Sequence, residues 1–223
     1  MSFLCIGHRG ASGHAPENTL KAFQLAIDMG CPWIELDVYA VEDELLVIHD
    51  DEVDRTTDGS GLVMEMTLET LRSLDAGEGE KIPTLQEVMA LCQGKVAINI
   101  ELKGPGTAEP VNQLLAEMTH RSWNEKNISI SSFYHDELAR ANPLYPRGAL
   151  FYKEAPYIEK AQALAAYSIN LAAKLVDADV VAEAHNHGYQ VWVYTVNTKA
   201  EMQKMKDFGV DAVFTNYPDQ FPA

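Results

Sequence analysis

From Pro83 to its end the chain alternates between short apolar β-rich runs and helical stretches, and no other feature narrows the fold as far. Strand patterns run over 95–102, 128–133, 148–152, 168–172, 190–196 and 211–215. Helical patterns lie at 84–92, 108–121, 157–166, 177–187 and 198–207, with a short one from His135. Gly188 and Gly209 stand where two of the helices should stop. Sustained β/α alternation predicts a parallel sheet wrapped by helices. Upstream, Phe3–Ile6 reads as a strand delivering Gly7-His8-Arg9-Gly10 at its C-terminal end, and Asn18 or Thr19 caps a helix running to Gly30. Together with the stretch 33–48 this makes nine candidate strands. Eight parallel strands would close a (β/α)8 barrel, leaving one surplus. The predicted architecture is a single α/β domain over 1–223, a TIM barrel with a small polar, glycine-bearing insertion at about 51–82 acting as a cap.

The surplus strand belongs to the stretch 33–50, where Ile34, Leu36 and Val38 share one strand face and Trp33, Glu35 and Asp37 the other. The link Glu42-Asp43-Glu44 before the apolar run Leu45–Ile48 is too short for a parallel crossover, which takes about a dozen residues. A hairpin follows, folding His49 back to the level of Glu35 and Asp37. In 95–103 the same alternation puts Val96, Ile98, Ile100 and Leu102 on one face and Asn99, Glu101 and Lys103 on the other. In a barrel the polar faces line the bore. Glu35, Asp37, Glu101 and Lys103 therefore converge near strand C-termini, the end where barrel enzymes carry their chemistry.

Three inward carboxylates repel one another unless a cation joins them. Glu35, Asp37 and Glu101 suit a hard divalent metal: Mg²⁺, Ca²⁺ or Mn²⁺. His8 and His49 each end an apolar strand beside the acids, placed to serve as general acid and general base. Arg9 and Lys103 are candidate phosphate-binding residues that also offset the acids. Trp192 and Tyr194 alternate on one strand face, and whichever lies near the mouth can pack on an apolar part of a substrate. His14, His120 and His135 show no partners in the sequence, and His185 and His187 sit in a helix's last turn.

A net charge of −16 excludes a nucleic-acid partner, which needs a basic face, but not a small anion met by a metal. No run approaches the roughly 18 apolar residues of a membrane span, and the N-terminus lacks a leader pattern, so the expected compartment is the cytoplasm without stable membrane anchoring. Cys5, Cys31 and Cys92 are widely spaced in apolar surroundings and read as buried free thiols. The oligomeric state is open, a homodimer included.

His8-Arg9-Gly10, Pro16-Glu17-Asn18-Thr19, Glu35-Leu36-Asp37, His49-Asp50, Arg55-Thr56-Thr57, Glu101-Leu102-Lys103, Ser132-Phe133 and Thr195-Val196-Asn197 occur in that order along nearly the whole chain. The ordered set resembles the glycerophosphodiester phosphodiesterase family. The resemblance implies a (β/α)8 barrel and a divalent metal held at Glu35, Asp37 and Glu101. It implies His8 and His49 as the acid/base pair, with Arg9 and Lys103 at the phosphate. The implied reaction is hydrolysis of small-molecule glycerophosphodiesters to sn-glycerol 3-phosphate and an alcohol. The alternatives are a phospholipase C-like lyase stopping at a cyclic phosphate and a non-catalytic phosphodiester-binding module. Tyr194 and Asn216 depart from the family pattern, which often has Trp and Asp there, and neither is expected to touch the acid/base or metal set.

Overall fold

Eight strands of one sheet run parallel and close on themselves in this computed structural model, which describes residues 3–121 and 123–222. They are β1 (Leu4–His8), β2 (Trp33–Val41), β4 (Ala97–Leu102), β5 (Ile128–Ser132), β6 (Arg147–Phe151), β7 (Ser168–Ala172), β8 (Gln190–Tyr194) and β9 (Ala212–Thr215). The ninth, β3 (Glu44–Val47), is the surplus arm, paired antiparallel to the far end of β2. Closure comes from β1, which pairs with β9 on one side and β2 on the other. The outer faces of the strands pack on α1 (Leu20–Asp28), α3 (Leu85–Cys92), α4 (Ala108–Arg121), α5 (His135–Arg140), α6 (Tyr157–Ala163), α7 (Ala178–Asn186) and α8 (Lys199–Asp207), while α2 (Leu68–Ser73) belongs to the insertion. The fold is a (β/α)8 barrel with one appended hairpin arm.

The pleat explains which side chains reach the bore. Ile34, Leu36, Val38, Ile98, Ile100 and Leu102 are wholly buried in the layer between strands and helices. The alternate residues face inward, and at the lower end Ile6, Trp192, Ala212 and Phe214 fill the bore with apolar bulk. Trp192 is 3% exposed, with its ring 5.9 Å from that of Trp33. It shares a face with Tyr194, as the alternation requires, but two residues earlier on a strand is about 6.6 Å deeper. The sequence expectation that either ring could meet a substrate is thereby corrected for Trp192, which belongs to the floor.

The insertion has a small core of its own. Val53, Val63, Leu71, Ala76 and Ile82 pack on Tyr39, Val41, Leu46 and Ile48 of the hairpin. Thr67 caps α2, and the Arg72 guanidinium donates to the Ile82 carbonyl and, at 2.7 Å, to Glu87 of α3. Cys5 and Cys31 are buried free thiols with sulfurs 3.6 Å apart, and Cys92 is buried elsewhere. Among the described residues no helix is long and apolar enough to cross a membrane.

Candidate active site

Strand register builds the acidic centre. Asp37 lies opposite Glu101 across the β2–β4 pair, and Glu35 lies opposite His8 across β1–β2. Carboxylate oxygens of Glu35, Asp37 and Glu101 fall within 4.8 Å of one another, with the residues 2%, 1% and 9% exposed. Charges this deep need partners. Lys103 Nζ is 2.9 Å from Glu101 Oε1 and 3.6 Å from Asp37 Oδ1. Arg9 donates its backbone N–H to Glu35 Oε2 at 2.9 Å, and its Nε stands 3.4 Å from Asp37 Oδ2. Asn18 donates its side-chain amide to the same Asp37 oxygen at 2.9 Å.

Arg9 reaches this position through backbone geometry. Its φ is 55° and that of Gly10 is 81°, two successive left-handed residues that turn the chain sharply off β1. The conformation costs a non-glycine residue about 1–2 kcal/mol. At Gly10 a methyl group would lie 2.6 Å from the backbone of Ala22, so α1 packs directly on the loop.

Even so, Glu35 Oε1 and Asp37 Oδ1 are buried acceptors without a hydrogen bond, and Arg9 Nε is a buried donor without one. A group left so costs about 1–3 kcal/mol. Asp37 Oδ1 has the Lys103 ammonium only at 3.6 Å and Glu35 Oε1 has no hydrogen-bond donor, so three crowded carboxylates with unsatisfied oxygens fit a hard divalent metal. Burial, then the charges of Asp37 and Glu101, push the Glu35 carboxyl well above the ordinary carboxylate range. Burial and Asp37 push Glu101 up to about 7. Burial acts the same way on Asp37, but Lys103, Arg9 and His49 outweigh it and the net shift is downward.

The two histidines are held from behind by different partners. His8 Nδ1 is 2.7 Å from Asn216 Oδ1, and its Nε2 faces Glu35 at 4.0 Å. His49 Nδ1–H donates to Asp50 Oδ1 at 2.5 Å. Asp50 accepts from Arg55 Nε at 2.5 Å, Arg55 donates twice to Glu17 at 2.8 Å, and Arg9 donates to Glu17 at 2.7 Å. This chain of charges runs from His49 around to the acids. Burial raises Glu17 and Asp50, but the arginines, with His49 at Asp50, overcome it and hold both carboxyls down to about 2. Burial, with Arg9, pushes His8 down to about 4, and burial lowers His49 as well.

Every sequence-predicted site residue except Trp192 lies at this mouth. His8, Arg9, Glu35, His49, Glu101 and Tyr194 line one cavity of about 180 Å³, and Lys103 lies on the adjoining cleft. Tyr194 donates its hydroxyl to the Phe151 carbonyl at 2.7 Å, which fixes its ring in the wall. Asn216 corrects the expectation that it stands apart from the acid/base set, because it is the partner of His8. Of the two cap candidates Thr19 caps α1, and Asn18, at φ 58°, turns inward to Asp37. Glu17, Asp50 and Arg55 were not singled out from sequence, although each stands in a segment that carries the resemblance. His14, His135 and His185 have partners after all, in Asp219, the Leu150 carbonyl and Asp211.

Known proteins resemble this chain over nearly its whole length. Residues 8–220 match the glycerophosphoryl diester phosphodiesterase family. The Bacillus subtilis protein YhdW is 39% identical, covering 96% of this chain and 94% of its own. A glycerophosphodiester phosphodiesterase of Caldanaerobacter subterraneus is 36% identical over 98% of this chain and 96% of its own. An Oleispira antarctica phosphodiesterase, solved with its product sn-glycerol-3-phosphate, superposes with a TM-score of 0.89 at 32% identity, covering 97% of this chain and 94% of that one. With matches across nearly its whole length, the chain belongs to the glycerophosphoryl diester phosphodiesterase family of enzymes.

Proposed function

We propose that the protein hydrolyses glycerophosphodiesters, the deacylated headgroups of phospholipids, to sn-glycerol 3-phosphate and a free alcohol. The observation that carries this reading is one mouth holding three buried carboxylates, two cations and two histidines. Family membership and the product bound to the Oleispira relative support it. Glu35, Asp37 and Glu101 would hold Mg²⁺, Ca²⁺ or Mn²⁺, which when bound stabilises charge building on a phosphoryl oxygen. Three carboxylates against Arg9 and Lys103 leave one negative charge; a divalent ion turns this to one positive, the complement of a phosphodiester monoanion.

Arg9 and Lys103 then position the phosphate. His8, backed by the neutral amide of Asn216 and pushed down by burial, suits the base that takes the proton from the nucleophile. His49, backed by the ionised Asp50, is better supported as an imidazolium and suits the acid that protonates the departing alkoxide. The test is product analysis with glycerophosphocholine and glycerophosphoethanolamine in the presence of a divalent metal. Equal amounts of sn-glycerol 3-phosphate and alcohol are expected, whereas a lasting cyclic phosphate would mark a lyase.

We further read residues 51–82 as a cap acting through Arg55, whose guanidinium braces Asp50 behind His49. Arg55→Ala should lower kcat about tenfold or more with metal affinity kept, since a misplaced catalytic group is costly. Arg55→Lys, lacking the fork, should recover only part. Unchanged kcat in Arg55→Ala would remove the brace from the mechanism.

Metal affinity should depend on pH with a definite sign. Ligand carboxylates must be ionised, and Glu101 is held up to about 7. Affinity is expected to climb from pH 5 through about 7 as Glu101 ionises, with the raised Glu35 carboxyl adding to the climb, and calorimetry should find protons released at pH 6. The folded chain holds this proton more tightly than the unfolded chain does. The contribution of Glu101 to the metal-free protein is therefore fully present below the usual carboxylate value of 4.5 and is lost as pH rises toward about 7. A melting series without metal that showed the opposite slope there would contradict this account.

A further inference from the structure

Two hollows meet at His49 and Phe133. The inner one, about 180 Å³, has Asn99, Ser131, Thr195 and Phe214 among its walls. It is the smaller of the two and has room for a three-carbon polyol. The outer one, about 730 Å³, opens to solvent and has a different chemistry. Its walls include Tyr39, Phe133, Tyr134 and Tyr152, with Asp50 and Asp51 beside them.

We propose that the outer cleft receives the departing alcohol and selects alcohols carrying a positive charge, a quaternary ammonium or a primary amine, over neutral polyols. This rests on the phosphodiesterase reading above. The Phe133 and Tyr152 rings lie 5.8 Å apart at 59°, an open corner of two aromatic faces. Tyr134 and Tyr152 are 50% and 57% exposed, large rings left in water at the entrance. The π-face of such a ring attracts cations, and most strongly those that are weakly hydrated. The ammonium of the exposed Lys153 stands 5.5 Å from the Tyr152 ring centroid, so a cationic headgroup has to displace this flexible side chain to use that face, whereas no cation stands over the Phe133 or Tyr134 ring among the described residues.

The carboxylates complete the argument. Asp50 is committed to His49 and Arg55, but the Asp51 side chain makes no hydrogen bond or ion pair among the described residues. Two positive groups also line the cleft: Lys103, answered by Glu101 at 2.9 Å and Asp37 at 3.6 Å, and His49 in its acid form, answered by Asp50 at 2.5 Å. An arriving cationic headgroup therefore meets aromatic faces and an uncommitted carboxylate, within a protein of net charge −16. A neutral polyol gains from none of these.

The experiment uses the whole metal-loaded chain and compares kcat/KM on glycerophosphocholine with that on glycerophosphoglycerol. The unaltered protein should favour the choline ester about tenfold or more, the scale of a few cation–π and charge contacts. Tyr152→Leu and Asp51→Asn should each lower that ratio about threefold or more, through KM on the choline ester. Tyr152→Phe, which keeps the ring, should retain the ratio. The ratio is internal to each variant, so partial loss of folded protein does not move it. A ratio near one in the unaltered protein, or the same ratio in every variant, overturns the proposal. No turnover of either ester overturns the phosphodiesterase reading itself, and this proposal with it.

Discussion

Exhaustive chelation is expected to abolish turnover, with Mg²⁺, Mn²⁺ or Ca²⁺ restoring it. Glu35, Asp37 and Glu101 crowd their oxygens within 4.8 Å, and Glu35 Oε1 and Asp37 Oδ1 are left without a hydrogen bond. Such a site holds a phosphodiester anion poorly without a further cation. Losing a Lewis acid worth several kcal/mol should cost about 10³-fold or more in kcat/KM. A second readout does not depend on activity. A ligand that binds only the folded chain raises its melting temperature with concentration, so divalent ions should stabilise the protein. Glu35→Gln and Asp37→Asn should blunt that stabilisation. Full activity in a thoroughly chelated sample, or a melting temperature indifferent to divalent ions, would sink the metal reading.

Replacing either histidine should cost at least about 10²-fold in kcat, within the 10²–10⁴-fold range of positioned acid/base groups. His8→Ala and His49→Ala should remain folded and bind metal, since neither belongs to the carboxylate set. The two losses differ in kind. An aryl phosphodiester has a leaving group that needs no proton, so it should rescue His49→Ala and not His8→Ala. Rescue of the opposite variant would exchange the roles, and near-normal kcat in both would end the acid/base assignment. Asn216→Ala should weaken the base by releasing its ring from the bond at Nδ1.

Much of this site was legible because strands report their own geometry. Period-two alternation sent Glu35, Asp37, Glu101 and Lys103 to one side before any contact was known. The short link Glu42-Asp43-Glu44 pointed to a hairpin, and the structure turns at Glu42-Asp43 and pairs Val41 with Glu44. What alternation does not carry is height along the bore, which is why Trp192 and Tyr194 looked equivalent although one is floor and the other wall. Nor does it carry contacts between loops. Asn18 reads as a helix cap because the residue type caps helices, and only the left-handed turn at φ 58° reveals that it serves Asp37. Asn216 lies 208 residues from His8, and no local pattern joins them. Arg55, Glu17 and Asp50 form a circuit drawn from three separate segments, invisible until the barrel closes.

The hairpin carries a consequence for how this enzyme can change. Barrel closure uses β2 through Trp33–Val38, whereas β3 pairs only with Val38–Val41 beyond it. His49 therefore follows an arm that lies outside the closed ring of strands, although Leu45 and Val47 of that arm are buried in the main core. The arm's phase is set by the turn Glu42-Asp43, whose first residue sits at φ 52°. Slipping a strand by one residue reverses every side chain on it. One codon inserted at that turn would carry His49 to the opposite face while leaving the cylinder able to assemble. A lineage could thus lose the chemistry in a single step while keeping the fold, although not the reverse, because the acids meet only when the barrel closes.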